Sequence, residues 1–181
     1  MQEEKNSSVD GIVLPPGGGK VIHVLGNPWT IKAGREDTGG PIAVLEGEFR
    51  PRSGAPAHVH HQHEETFYVL EGEFLFHLGT QTVTATAGTF VFVPRDVPHA
   101  FENVGNQPGR ILGMLTPGGY EQFFEELAHL PPGPPDPAQF QEIFEKYDQE
   151  TVELPKGGGA EVEGGPAAMA ALLSPHAIDQ Q

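Results

Sequence analysis

Short apolar runs separated by turn residues dominate the middle of the chain. Between residues 20 and 116, β-branched and aromatic residues cluster in these runs, and Gly, Pro, Asn or Asp stand between most of them. The pattern predicts strands over residues 21–25, 29–32, 42–49, 66–78, 81–86, 89–93, 100–104 and 110–115. Because no helical periodicity intervenes, it favours an antiparallel sandwich or barrel.

The periodicity changes after residue 116. Apolar residues then recur at helical spacing in two stripes, Tyr120, Phe123, Phe124 and Leu127, and then Phe140, Ile143, Phe144 and Tyr147. Asp136 and Pro137 stand where the N-cap and the first position of the second helix fall. We expect both helices to pack on the sheet and to expose the acidic residues around the stripes, which are Glu121, Glu125, Glu126, Glu142 and Glu145.

These patterns divide the chain into four parts. Residues 20–116 form the predicted β-unit, and residues 117–154 form a helical extension that covers it. Residues 1–19, which end in a Pro- and Gly-rich run, are predicted to be a flexible lead-in. In residues 155–181, Gly, Pro and Ala supply 14 of 27 positions, so we expect an unpacked tail despite the apolar run at 167–173.

Composition excludes several classes of function. The 181 residues carry 10 Lys plus Arg against 25 Asp plus Glu, a formal charge of −15, which argues against nucleic acid or an anionic membrane surface as a partner. There is no cysteine, so disulfides, zinc–thiolate sites and cysteine nucleophiles are excluded. No apolar run approaches the length of a membrane span or a signal peptide. We therefore expect a cytoplasmic protein.

The candidate chemistry lies in a cluster of histidines. In a strand, His58 and His60 point to one face, about 7 Å apart along the chain, and that spacing suits two imidazoles on one metal ion. Glu65 stands at the head of the next strand, and His99 follows a stretch restricted by two prolines. Three imidazoles and a carboxylate, without a thiolate, suit Fe, Mn, Co, Ni or Zn as a divalent ion, and the identity of the metal stays open.

Other residues near this set have weaker assignments. His61 and His63 are interpreted as rim residues, one of which could contact a substrate. Phe67 and Phe101 share the strand parity of Glu65 and His99, and together with Met114 they are our candidate substrate-binding residues. The remaining strand phenylalanines are assigned to the core; they are Phe74, Phe76, Phe90 and Phe92.

Two spaced motifs resemble the cupin superfamily. The first, G-x5-H-x-H-x3,4-E-x6-G, is met by His58, His60, Glu65 and Gly72. The second, G-x5-P-x-G-x2-H-x3-N, is met by Gly88, Pro94, His99 and Asn103. The chain departs from the family at two glycine positions, which are occupied here by Arg52 and Asp96. The resemblance implies a jelly-roll β-barrel with the metal inside, and neither departure touches a ligand position.

A finer resemblance is to the bacterial monocupin quercetinases, which end their barrels with a similar Pro-Gly-Gly and Phe-Phe-Glu helix; here the segment begins at Pro117. It implies an all-β cupin barrel with two C-terminal helices packed on it. It also implies a metal-dependent dioxygenase that cleaves a flavonol or related enol. Glu65 would then be the base, with its pKa raised by an apolar surround.

Two other functions stay open at this point. The same ligand set could serve a non-oxidative metalloenzyme, such as an isomerase or decarboxylase acting on a small polar acid. It could also belong to a protein that binds a metal or small ligand without turnover. In each case the partner is a small molecule, and we expect a homodimer in which the strand-forming segment 20–32 adds to a neighbour's sheet.

Overall fold

The computed structural model describes residues 11–131 and 136–154, which form eleven strands and three helices. In chain order these are β1 (Lys20–Val24), β2 (Asn27–Ala33), α1 (Arg35–Thr38), β3 (Ala43–Phe49), β4 (Gly54–His60), β5 (Glu64–Glu71), β6 (Glu73–Leu78), β7 (Gln81–Thr86), β8 (Phe90–Val93), β9 (His99–Asn103), β10 (Gly109–Thr116), α2 (Glu121–Ala128), α3 (Pro137–Lys146) and β11 (Gln149–Thr151). The first ten residues of the predicted lead-in and the whole predicted tail, 155–181, lie outside the described residues.

The strands form two antiparallel sheets. The large sheet has the order β1-β2-β3-β10-β5-β8, and the small sheet has the order β11-β4-β9-β6-β7. This arrangement confirms the jelly-roll prediction, but the two sheets do not close into a continuous barrel. Aromatic side chains rather than backbone hydrogen bonds bridge the gap between them, as in a face-to-face packing of two sheets.

The predicted long strand over residues 66–78 is divided in two at Gly72. Gly72 has φ +90°, and a Cβ atom there would lie 2.8 Å from the Cα of Gly109. A glycine is required for both reasons. The chain passes at this point from β5 in the large sheet to β6 in the small sheet, and this crossing places Glu65 opposite the small sheet.

Five phenylalanines fill the space between the sheets. They are Phe49 and Phe67 from the large sheet and Phe74, Phe76 and Phe101 from the small sheet, and all are buried. The rings of Phe49 and Phe101 meet edge to face at 4.9 Å, a favourable aromatic geometry. The core assignment is wrong for the two phenylalanines of β8, since Phe90 and Phe92 are more than half exposed. Both lie on the outward face of that strand, and Val91 and Val93 are the residues that point inward.

The two predicted helices pack against the large sheet and β11. Phe123, Phe124 and Leu127 of α2 join Phe140 and the other stripe residues of α3 in a second apolar cluster with β1, β2 and β3. The side chain of Asp136 accepts a hydrogen bond from the backbone N–H of Ala138, as expected for an N-cap. In the described part of the chain, no helix has the length and apolar character that crossing a membrane requires.

One acidic residue of α2 is not solvated as expected. Glu121 is buried, and its carboxylate accepts hydrogen bonds from the backbone N–H groups of Arg35 and Gly119, each at 2.8 Å. The expectation failed because helical periodicity cannot show that a neighbouring turn directs unpaired N–H groups at this position.

The two departures from the glycine pattern have the same backbone conformation. Arg52 has φ +65° and Asp96 has φ +62°, which is the left-handed region that glycine enters most easily. Asp96, a residue type that is common in turns, thus adopts an angle typical of glycine at that position. Both positions therefore keep the local turn without a glycine, at the expense of backbone strain.

Gly54 sets how closely β4 approaches β9. A Cβ atom at this position would lie 1.9 Å from the carbonyl oxygen of Phe101, so a side chain would push the two strands apart. We expect Gly54→Ala to lower the free energy of unfolding by about 2 kcal/mol or more, measured by urea denaturation. The matched control is Gly113→Ala in β10, where the nearest atom is the Leu45 carbonyl oxygen at 3.8 Å. Equal stability of the two variants would contradict the close approach.

Candidate metal centre

Three strands place the four candidate ligands at one point between the sheets. His58 and His60 lie in β4, Glu65 lies in β5 and His99 begins β9. His58 is directly opposite His99 in the antiparallel pairing of β4 with β9. All four side chains are buried, and one potential ligand atom from each lies within 4.8 Å of those of the other three. The convergence expected from the sequence is therefore present.

The carboxylate of Glu65 is the centre of this group. Its Oε2 atom lies 3.1 Å from Nε2 of His99 and 3.3 Å from Nε2 of His60. The ring of His58 lies 4.1 Å from the ring of His99, centroid to centroid. The four residues, which we call the His3Glu group, thus direct imidazole nitrogens and one carboxylate toward a common point.

Backbone carbonyls fix two of the imidazoles. Nδ1 of His58 lies 2.7 Å from the carbonyl oxygen of Pro56, and Nδ1 of His99 lies 2.9 Å from that of Val97. Because a carbonyl oxygen can only accept, each Nδ1 donates a proton to it, and Nε2 is the ring nitrogen that a metal ion would engage. This is the tautomer that a metal-binding histidine needs at Nε2.

The protonation of the group also suits a cation. Burial, followed by the neighbouring His99 and His60, holds the pKa of His58 well below its usual range, so its imidazole is neutral at pH 7. Burial by itself raises the pKa of Glu65, but hydrogen bonds and charges from His60 and His99 outweigh it and lower that pKa well below its usual range. The expectation of a raised pKa for Glu65 is wrong, because the carboxylate faces imidazoles rather than only apolar side chains.

The donor set fits a divalent transition metal. Three imidazoles and a carboxylate are typical ligands of first-row ions, and such buried polar groups are costly unless they are paired or bind a metal. His58, His60, Glu65 and His99 would hold the ion. The donor chemistry does not select among Fe, Mn, Co, Ni and Zn.

A cavity of about 80 Å³ borders the His3Glu group. His58, His60 and Glu65 form one part of its wall. Aromatic side chains from strands and helices form much of the remainder, namely Trp29, Phe49, Phe101, Tyr120, Phe123, Phe124, Phe140 and Phe144. The arrangement offers a small, largely apolar chamber next to a cluster of potential metal ligands, as is usual for small-molecule sites.

The three predicted substrate-binding residues, Phe101, Phe67 and Met114, differ in whether they reach the cavity. Phe101 lines the cavity. Phe67 is buried between the sheets, with its ring 6.4 Å from that of His99, and is not among the residues that line the chamber. Met114 is half-buried on the outer face of β10, where residues alternate between the two faces. The structure therefore does not bring Met114 to the cavity.

Sequence reasoning missed several residues of this wall. The apolar stripe of Tyr120, Phe123 and Phe124 predicts a helix that packs on or covers the β-unit, but it does not show that these side chains border the chamber. Gln149 also lines it from β11, a strand of three residues. A strand this short has too little alternation to be detected in a sequence.

The two additional histidines lie at the edge of the group. His61 is exposed, and its Nδ1 contacts the carboxylate of Asp96 at 2.6 Å, which raises the pKa of His61. His63 is half-buried, with its ring 5.0 Å from that of Tyr120. Neither lines the cavity, and their interpretation as rim residues fits these positions.

Comparisons with known proteins agree with this architecture. Residues 45–115 match the family model described as "Cupin domain". The chain is 28% identical over 123 residues to the quercetin 2,3-dioxygenase of Bacillus subtilis (strain 168), which covers 65% of this chain and 36% of that protein. It is 34% identical over 68 residues to the polyketide synthase CurC of Streptomyces cyaneus, covering 38% of this chain and 44% of that protein. The chain thus spans less than half the length of either relative.

A solved structure shares the fold. KdgF from Halomonas sp. superimposes with a TM-score of 0.56 at 16% identity, covering 62% of this chain and 99% of that chain. At this identity the likeness concerns the arrangement of the strands alone.

The His3Glu group predicts a site for one divalent ion. We expect the protein to bind one equivalent of Co²⁺ in isothermal titration calorimetry, and His99→Gln to lower the affinity at least about 100-fold, because a ligand is removed outright. His23→Gln is the control, since His23 is exposed in β1. Equal binding by the two variants, or no binding by the unmodified protein, would contradict the assignment.

Proposed function

We propose that this chain, whose residues 45–115 match the Cupin domain model, is a metal-dependent dioxygenase of the quercetin 2,3-dioxygenase type. The substrate would be a flavonol or a related enol, cleaved with O2. The observation that carries the proposal is the His3Glu group at the wall of an aromatic chamber. The similarity to the quercetin 2,3-dioxygenase of Bacillus subtilis supports the same reaction class.

The chamber suits a planar, uncharged substrate. Its aromatic walls can pack against flat rings, and Asn27 and Gln149 add polar groups beside them. Among the described residues that line the cavity, none is Lys or Arg. This composition favours an aromatic enol over a small acid, which needs a cationic partner.

Glu65 has the position and charge of a proton acceptor. Its lowered pKa keeps the carboxylate ionised at neutral pH but makes it a weak base, so it can take the proton only of an acidic substrate hydroxyl placed beside it. A bound metal would supply Lewis acidity that makes this hydroxyl more acidic. Phe101 and the helix residues would exclude water and orient the ring system.

The two remaining alternatives have less support. An acidic substrate would need a cationic partner, but two basic side chains of the β-unit are engaged elsewhere: Arg110 pairs with Glu46, and Nε of Arg95 lies 2.8 Å from a carboxylate oxygen of Glu64. Neither lines the chamber. A protein that only binds a metal would not need an apolar chamber beside it. A protein that holds a small ligand there without turnover would need one, and the measurement of O2 consumption separates this alternative from the proposed enzyme.

The proposal is tested by O2 consumption with quercetin. The protein loaded with Fe, Mn, Co or Ni should consume O2 when quercetin is added. Glu65→Gln should lower kcat by about 10²-fold or more, because it removes the acceptor while keeping the size of the side chain. An oxygen electrode and the loss of flavonol absorbance measure both quantities.

The adjacent carboxylate provides the matched control. Glu64 accepts a hydrogen bond from Thr116 and pairs with Arg95 away from the chamber, so Glu64→Gln should leave kcat nearly unchanged. Absence of O2 uptake across a panel of flavonols with all four metals would overturn the proposed reaction.

We also propose that the protein is a homodimer, through the far edge of the large sheet rather than through segment 20–32. That segment forms β1 and β2, and β1 is itself an edge strand of the large sheet, so the predicted pairing with a neighbour's sheet is the alternative that the same experiment tests. At the opposite edge of the large sheet, Tyr68, Phe90 and Phe92 are 40%, 62% and 51% exposed. We call these three residues the aromatic edge face.

The aromatic edge face suits a second copy of the same chain. With aromatic side chains of about 150–250 Å² each, it exposes on the order of 300 Å², a fair part of the roughly 800 Å² per partner of a stable interface. Along the cross-strand row that runs from Phe90 through Tyr68, the first charged residue is Glu46, whose charge is already paired with Arg110 and Lys32. A strongly acidic chain can therefore meet its copy here without opposing unpaired carboxylates.

Sedimentation velocity tests the homodimer. We expect a dimer at micromolar concentration that Phe90→Glu converts to a monomer, because a charge would be buried at the apolar centre of the interface. The control is Val83→Glu, which charges an exposed apolar position on β7 of the small sheet and should remain dimeric. A monomeric unmodified protein, or a dimeric Phe90→Glu variant, would contradict this surface.

A further inference from the structure

The imidazole of His60 is held in place differently from the imidazoles of His58 and His99. Nδ1 of His58 and of His99 each lies against a backbone carbonyl. Nδ1 of His60 is buried and has no hydrogen-bond partner among the described residues. A ligand histidine is usually oriented by a hydrogen bond at its second nitrogen, so another contact must fix this ring.

Tyr120 supplies that contact. Its ring meets the imidazole of His60 at 4.8 Å with an interplanar angle of 88°, an edge-to-face arrangement. Tyr120 is 2% exposed and stands immediately before α2, where its ring also packs on Phe123 at 4.9 Å. A buried ring held by a helix is a rigid surface for the imidazole.

The phenol of Tyr120 is itself tethered. Its hydroxyl donates a hydrogen bond to the side-chain oxygen of Gln149. Gln149 lies directly opposite His60 in the pairing of β11 with β4. Burial raises the pKa of Tyr120 well above its usual range, so the hydroxyl keeps the proton it donates. The contacts thereby form a closed loop, from the imidazole of His60 to the ring of Tyr120, from its hydroxyl to Gln149, and from Gln149 back to His60 through the pairing of β11 with β4.

We propose that Tyr120, anchored by Gln149, is a positioning residue that orients the imidazole of His60 for the metal. The proposal rests on the metal centre proposed above. Tyr120 acts through His60 and is not itself a ligand. It also means that the helical extension and β11, which contribute no ligand, are needed for full metal affinity.

Co²⁺ binding by three variants tests this role. Tyr120→Leu removes the ring, and we expect a loss of about 10- to 100-fold in Co²⁺ affinity, the range typical of residues that orient metal ligands. Tyr120→Phe and Gln149→Leu keep the ring but remove the tether, so their losses should be smaller. The d–d absorption of bound Co²⁺ should change in Tyr120→Leu, because the imidazole of His60 is reoriented.

Tyr147 offers a matched control for a lost hydroxyl. Its hydroxyl donates to Glu126 at 2.6 Å, and its ring lies 6.2 Å from that of Tyr120. Tyr147→Phe should bind Co²⁺ with unchanged affinity and spectrum. If Tyr120→Leu does not fold, Tyr120→Phe provides the test. The imidazole NMR signals of His60 in the metal-free variant should shift, because the contact between the two rings loosens once the tether to Gln149 is lost.

The results separate this inference from the proposed reaction. Unchanged Co²⁺ affinity and spectrum in the Tyr120 and Gln149 variants would overturn the positioning role, whatever the protein does with flavonols. Weakened binding together with no flavonol turnover would support the positioning role and overturn the reaction. An unmodified protein that takes up no Co²⁺ would overturn both.

Discussion

The antiparallel pairing of β4 with β9 is the constraint on which the site depends. It sets His58 opposite His99, and both imidazoles are oriented by backbone carbonyl groups, that of Pro56 in β4 and that of Val97 just before β9. The pairing requires the backbone of Gly54 to pass within contact of Phe101, so a side-chain atom is excluded where the strands come closest. The geometry of the candidate metal centre is therefore set first by the spacing of these strands and only then by the identity of the four side chains.

Burial makes the four polar side chains interdependent. The His3Glu group shares the space between the sheets with phenylalanines such as Phe67 and Phe101, where an uncompensated carboxylate is strongly unfavourable. Two imidazoles compensate Glu65 through their Nε2 atoms, the same atoms that a cation would engage. A metal ion would thus replace the contacts that hold the group together, and metal binding and folding are coupled.

The candidate ligands could be predicted from the sequence, but the residues that surround them could not. His58, His60, Glu65 and His99 could be predicted because local spacing and two motifs carry them. Phe90 and Phe92 could not be placed, since β8 alternates Phe with Val and both of its faces look apolar. The break at Gly72 depends on Gly109, which is distant in sequence. Tyr120 matched a helical stripe, and that pattern does not distinguish packing from a contact with His60.

The chamber lies where the two apolar clusters meet, so two different parts of the chain form its walls. Trp29 packs on Phe49 at 5.2 Å in one cluster and on Phe124 at 4.6 Å in the other. The strands provide the ligands, whereas α2 and α3 provide much of the aromatic wall. Substitutions in the helices can therefore change the shape of the chamber without touching a ligand. In the proposed reaction, the choice of substrate is a property of the helical extension, and the metal chemistry is a property of the sheets.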